Sequence, residues 1–427
     1  MFSTLGTVFS LLLSYGLLLL ANGLFSTLLG VRTQVEGFST DIVGFIVASY
    51  FFGLLLGGVF AGRIVARVGH IRSFAAFASL MSITALLHPL WISVGSWMVL
   101  RMVSGICMAG LIMVTESWLN ERASNVNRGQ VLSFYMITNY FAAGSGQLLL
   151  SVGDPSQFKL FSLASVLFSL ALLPVLLTRA KAPVPMPAAR MPLLTLYRLA
   201  PLGMIGVFCS GLLNASIHGL GPVYATNIGL SKEQLSLFMA SLIMSGLILQ
   251  WPMGRWSDRI GRGPLLVVIP IVVAIVAIAM TQVVNFLAII GFGILLGSFL
   301  FTIYSLSAAT SNDMADADQR VQLAGGLLIT YGAGASLGPI IGGQFMGLLG
   351  PSGLFFYFAL VSLLLALFAT LKRRRDGSPD KRKPFVVVPA SQATSNQLYL
   401  SVHDESPETV VLTDKSDDAA KKPTAKL

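Results

Sequence analysis

Charge is scarce in this chain. Of its 427 residues only 11% are Asp, Glu, Lys or Arg, against 55% hydrophobic, a balance outside the range of water-soluble domains. Even that charge is unevenly spread: residues 372–427 hold 11 of the 28 Lys and Arg and 8 of the 18 Asp and Glu. The first 371 residues are nearly free of it and belong in a lipid bilayer. Cysteine and histidine are just as sparse. The two cysteines, Cys107 and Cys209, and four histidines, His70, His88, His218 and His403, lack the short spacing of a metal or redox site. The cysteines are expected to be small apolar packing residues. No Gly-Lys dipeptide occurs, which excludes a Walker-type phosphate loop and ATP-driven work by this chain. The glycines from Gly332 to Gly338 miss the dinucleotide-binding spacing by one residue, and no strand precedes them. With no nucleophile beside a base, no metal cluster and no nucleotide loop, neither an enzyme nor a cofactor is expected. A basic surface interleaved with aromatics is also missing, so nucleic acid is not an expected partner.

What is present is long apolar runs. A helix crossing the hydrocarbon needs ~20 apolar residues, and twelve such runs can be read: 7–30, 42–61, 73–94, 96–119, 129–152, 158–178, 201–226, 233–253, 264–282, 286–310, 321–349 and 352–371. The first has no basic leader and exceeds the ~7–15-residue core of a signal peptide, so it reads as a span. Alternating apolar and polar strands are absent, which leaves an all-α integral membrane protein. Basic residues set its orientation. With the N-terminus inside, cytoplasmic segments carry 17 Lys and Arg, including Arg63, Arg67, Arg72, Arg255, Arg259, Arg262, Arg320 and the run 372–375, against Arg32, Lys159 and Lys232 opposite. Both termini are expected in the cytoplasm, with the chain in the cell (inner) membrane.

One register of 192 residues relates the two parts of the span region. It aligns Gly62, Arg63, Arg67 and Gly69 with Gly254, Arg255, Arg259 and Gly261, and pairs Asn22 with Asn214, Gly37 with Gly229, Ser39 with Ser231, Gly105 with Gly297, Thr138 with Thr330 and Gly146 with Gly338. The expected organisation is a six-helix bundle over 1–178, a cytoplasmic linker at 179–200 rich in proline and basic residues, a second bundle over 201–371, and a disordered cytoplasmic tail at 372–427. Two parallel bundles enclosing a central path suit transport by alternating access, each rocking against the other.

The loop after the second span of each half resembles the signature of the major facilitator superfamily, a Gly, an Asp-Arg pair and a Gly-Arg. The second copy is complete in Gly254, Asp258, Arg259, Gly261 and Arg262; the first has Ala66 where the acid belongs. Arg101 followed by Gly105 is similar to a second motif of that superfamily, and Gly334, Gly338, Pro339, Gly342 and Gly343 to its glycine-proline motif. The stretch Glu116-Ser117-Trp118-Leu119-Asn120-Glu121-Arg122 resembles the YcaD-type branch. The resemblance covers roughly residues 7–371. It implies an inner gate at the loop motif, a cavity built by spans one, four, seven and ten, and a gradient-driven carrier of a small organic solute, expected to work as a monomer. Transport is expected to be proton-coupled; an uncoupled facilitator and a non-transporting sensor signalling through its tail are the alternatives.

Charges inside the bilayer are costly and mark function. Arg101 and Glu116 share span four, ~22 Å apart along it. Arg101 is a candidate anion holder or a snorkelling interfacial residue, and Glu116 a proton acceptor or a gate partner of Arg67 or Arg72. The cavity candidates are Asn22, Arg101, Asn139, Gln147, Asn214, His218 and Tyr304; Asn139, Gln147 and Tyr304 could instead bind helix to helix, and His218, a proton exchanger or a partner for a substrate hydroxyl, could instead be a neutral ring satisfied by a backbone carbonyl. The gate candidates are Gly62, Arg67, Gly69, Arg72 and Glu116, with Gly254, Asp258, Arg259, Gly261 and Arg262. The arginines are expected to pair with acids across the seam between halves.

Overall fold

The computed structural model describes residues 2–122, 128–177, 191–316 and 319–376. Among them the chain is helical and without strands. Twelve long helices follow in order: α1 Phe2–Val35, α2 Thr40–Val68, α3 His70–Leu87, α4 Val94–Arg122, α5 Arg128–Leu148, α6 Lys159–Leu176, α7 Pro201–Asn227, α8 Lys232–Ile260, α9 Arg262–Met280, α10 Phe286–Met314, α11 Arg320–Leu349 and α12 Gly353–Asp376. Eleven of these are long and apolar enough to cross a membrane. The other, α5, carries Asn139 and Gln147 and is held between α1 and α8. Large apolar side chains such as Phe52, Val99, Ile275 and Leu364 face outward, as lipid contact requires.

The halves α1–α6 and α7–α12 repeat each other in backbone detail. The tight turns before α2 and α8 are made at Gly37 (φ 75°) and Gly229 (φ 80°), and those before α3 and α9 at Gly69 (φ 90°) and Gly261 (φ 98°). At the second pair the glycine N–H closes the preceding helix, onto Val65 O and Ser257 O, in a conformation that an L side chain adopts only under strain. Helix starts are less alike. Ser231 and Gln234 cap α8 reciprocally, whereas Ser39 makes no side-chain cap bond at α2.

Lipid tails are as apolar as leucine, so helices associate here through close backbone approach rather than through hydrophobic exclusion. The repeat keeps those approaches. A Cβ at Gly146 would run into the carbonyl of Leu20, and one at Gly338 into that of Leu212; Gly105 sits on the carbonyl of Tyr50 and Gly297 on that of Leu242. Each pair is related by the same 192 positions.

The seam between halves is formed by α2 with α11, α5 with α8 and α1 with α7. Gly44 lies on the Pro339 carbonyl, Gly343 beside Thr40 and Gly30 against Pro222. These contacts sit near the face opposite the start of α1 and the end of α12, called here the far face; the face of those two helix ends is the terminal face. Midway down, α8 loosens into a 3₁₀ turn at Ser245–Leu247, where Tyr140 of α5 packs on Gly246.

Most of the expected linker and of the tail lies outside the described residues. The linker's end is a short helix, Leu193–Leu199, tied down by Met191 N–H donating to Gln322 O at 2.8 Å.

Candidate functional site: an arginine-bearing cavity between the halves

A small cavity is lined by Asn22 and Ser26 of α1, Val47, Tyr50 and Phe51 of α2, Arg101 of α4, and His218 and Gly219 of α7. Counting ~1.5 Å per residue from the far ends of these helices, the polar side chains lie roughly 10–20 Å below that face. Arg101 is 4% exposed. Its guanidinium carbon stands 4.2 Å from the centroid of the Tyr50 ring and 5.8 Å from that of Phe25, so the positive charge rests on two aromatic faces. No carboxylate among the described residues lies within ion-pair distance of it, and Nη1 has no hydrogen-bond partner. The Tyr50 hydroxyl donates to Asn22 Oδ1 over a long 3.5 Å. His218 shares 2.8 Å with the Asn214 carbonyl through Nδ1. A carbonyl only accepts, so Nδ1 carries a proton, and in the neutral ring Nε2 is left as an acceptor.

The structure therefore brings Asn22, Arg101 and His218 into one cavity. It puts the remaining cavity candidates between helices instead. Asn139 Nδ2 donates to the Tyr15 hydroxyl at 2.6 Å; Gln147 accepts from Thr27 Oγ1 and donates to Ala143 O, fastening α5 to α1. Asn214 is buried beside Tyr331 of α11, its place in the repeat being that of Asn22 but its surroundings closed. Tyr304 packs edge-on against Tyr331 with centroids 5.3 Å apart. In each case the helix rotation turns the polar group toward a neighbouring helix and away from the cavity.

Near the terminal face, Arg262 Nη1 lies 2.5 Å from Asp313 Oδ2 and 2.5 Å from the Ala309 carbonyl, to which it donates. Asp258 is within electrostatic reach of the same guanidinium. This pair joins α9 to α10 inside one half rather than bridging the seam, because the left-handed turn at Gly261 feeds Arg262 straight into the first turn of α9, facing α10. The equivalent first-half positions are His70 and Glu121, and there His70 Nε2 meets Ser117 Oγ at 3.2 Å instead. Arg67, Arg72 and Arg259 are exposed and make no ion pair with the described residues, while Gly62 and Gly254 lie in the last turns of α2 and α8. Glu116 is 2% exposed and accepts from the Tyr135 hydroxyl at 2.8 Å. Tyr135 in turn stacks on Tyr15, centroids 4.7 Å apart, which meets Asn139. A buried polar chain thus runs from Glu116 through α5 and α1 toward the bundle centre.

Sequence reasoning missed Tyr50, Phe51, Tyr135 and Asp313. Aromatics in an apolar span look like packing residues, and only Asp313 carried a signal, as the repeat mate of Glu121.

Comparison with known proteins agrees with this architecture. The sequence profile of the Major Facilitator Superfamily matches residues 11–200 and 203–403. An MFS-type transporter of Yersinia pestis (strain Pestoides F) is 32% identical over 343 residues, covering 79% of this chain and 88% of that one. The MFS-type transporter YcaD of Escherichia fergusonii is 30% identical over 339 residues, covering 79% and 88%. Among solved structures, the nucleoside transporter NupG superposes with a TM-score of 0.71 at 15% identity, over 87% of this chain and 99% of that one. A bacterial homologue of the human lysosomal transporter Spinster, inward-facing and occupied, gives 0.70 at 14% identity over 86% and 96%. With its duplicated helices, its loop signature and a profile match across both halves, the chain belongs to the Major Facilitator Superfamily and is a multi-pass membrane transporter by family.

Proposed function

We propose that the protein is a secondary active transporter that moves a small organic solute across the cytoplasmic membrane by alternating access, coupled to protons. The observation that carries this reading is the cavity between α1, α2, α4 and α7, walled by both halves and bearing polar groups at mid-depth. Rocking of the halves about the seam glycines would expose it to one side and then the other. Glu116 supplies the coupling: a buried carboxyl at the end of a polar chain is a proton acceptor whose charge changes the energy of the surrounding packing. The basic residues of the terminal-face loops support a cytoplasmic position for both chain ends. The superposing structures include a nucleoside transporter, consistent with a path for small organic molecules.

Reconstitution into proteoliposomes tests this. Counterflow of a bound solute is expected, with accumulation driven by an imposed pH gradient. Counterflow that ignores the gradient would leave an uncoupled facilitator, and a bound solute that never crosses would remove the transport reading.

A further inference from the structure

We infer that the solute is a small hydroxylated monocarboxylate, its carboxylate held by Arg101 and its hydroxyls by Asn22 and His218. The inference rests on the transport reading above and deepens it by naming the substrate class.

Arg101 carries an unmatched charge. Arg101 is almost wholly removed from solvent, in a helix that crosses the bilayer, and no acid is within reach among the described residues. A cation held this way is expensive. The rings of Tyr50 and Phe25 return part of the cost but accept no N–H, and Nη1 stays without a partner. A structural arginine would be expected to spend its five donors on carbonyls or carboxylates, as Arg32 and Arg262 do in this protein. Arg101 instead keeps donors for something that enters the cavity it lines. The planar fork suits a carboxylate, with two parallel hydrogen bonds.

The rest of the lining narrows the class. Arg101 is the only residue among the cavity's lining that carries a fixed positive charge, so one negative charge is matched and a second would stay unpaired in a poorly polarisable site. This favours a carboxylate over a phosphate dianion. His218 offers an acceptor at Nε2 because Nδ1 is committed to Asn214 O. Asn22 offers an amide and Ser26 a hydroxyl. These groups suit alcohols on the substrate. Val47 and Phe51 leave one wall apolar for its carbon chain. The cavity is small, which points to a compact solute rather than a lipid or a peptide.

The test uses purified full-length protein and a panel of hydroxylated monocarboxylates of three to six carbons, lactate to gluconate, each paired with its own amide, together with glycerol 3-phosphate and inorganic phosphate. Binding is read by thermal shift and calorimetry, transport by proteoliposome counterflow. At least one acid is expected to bind while its amide does not; Arg101→Gln is expected to weaken that acid about a hundredfold and Arg101→Lys about tenfold. If Arg101→Gln fails to fold, the comparison of acid with amide on the unaltered protein decides alone. Amides binding as well as acids, phosphates outcompeting carboxylates, no acid binding at all, or acid binding undiminished in a folded Arg101→Gln protein would each overturn the inference. An acid that binds but never exchanges would instead remove the transport reading and leave the anion site standing.

Discussion

Arg262 and Asp313 meet at 2.5 Å with side chains only 6% and 7% exposed, and both belong to the C-terminal half. Their pair fixes the start of α9 to the end of α10, within a body that moves as a unit if the halves rock. Removing one partner of such a buried pair costs about 3 kcal/mol. Asp313→Ala is therefore expected to lower the unfolding temperature in detergent, with the double variant Arg262→Met/Asp313→Leu recovering much of the loss. The distribution between open states, measured by spin-label distances across the seam, should stay where it is. A changed distribution with unchanged stability would mean that this pair works as a gate after all.

Glu116 makes a different prediction, because its buried carboxyl beside the Tyr135 hydroxyl is the group offered above as the proton acceptor. Glu116→Gln keeps the shape and can still accept from the Tyr135 hydroxyl, but it takes up no proton. Solute counterflow without a gradient should persist, while accumulation driven by a pH gradient should fall to the level seen without one. Gradient-driven accumulation surviving in Glu116→Gln would move the coupling site elsewhere.

Much of this architecture was legible in the sequence, for a physical reason. Backbone turns and close helix approaches need glycine, so the 192-residue register of Gly69 with Gly261 and Gly146 with Gly338 carried the duplication directly. Polar residues in apolar runs flagged the site only in part. Asn22 and Asn139 are the same residue type in similar apolar runs, yet one faces the cavity and the other bonds Tyr15; the difference is helix rotation, which depends on packing partners far away in the chain. Tyr50 escaped notice because a tyrosine in a span has an apolar body, and its role as the seat of the Arg101 guanidinium exists only once α2 lies against α4.

The paired glycines should respond alike to substitution. At Gly146 and Gly338 a new side chain would meet the Leu20 or Leu212 carbonyl of the neighbouring helix, so Gly→Val at either is expected to cost about 2 kcal/mol or more through overpacking. Gly95 and Gly291 have open space where a Cβ would go; Ala there should leave thermal stability unchanged or slightly raised, since helical glycine is costly in itself. Equal tolerance at all four positions would contradict the backbone contacts that define the repeat.

The far face offers the sharpest test of motion. Lys232 Nζ, from the C-terminal half, donates to Gly153 O at 3.2 Å, and Arg32 reaches Pro155 O at 3.2 Å from α1 while pairing with Glu36. One short loop is thus held from both halves. Asp154 in that loop is kept below the usual carboxylate range, first by the Ser156 N–H that donates to it and further by Lys232 and Arg32. A lowered carboxylate contributes its ordering above the unfolded value of ~3.9 and loses it only as pH falls through the lower folded value. The loop should therefore behave alike from about pH 5 to about pH 8. Lys232→Met removes the cross-half bond, together with the exposed pair to Glu233 and one of the charges beside Asp154. Labelling of Ser26→Cys by a membrane-impermeant thiol reagent applied from the far face reads the result, with Cys107 and Cys209 buried and silent. An exposed bond of this kind is worth ~0.5–1 kcal/mol, so labelling should quicken about two- to fivefold, by the same factor at both pH values. An unchanged rate in Lys232→Met would mean that closure of this face depends on the glycine contacts of α2 with α11 and owes nothing to the loop.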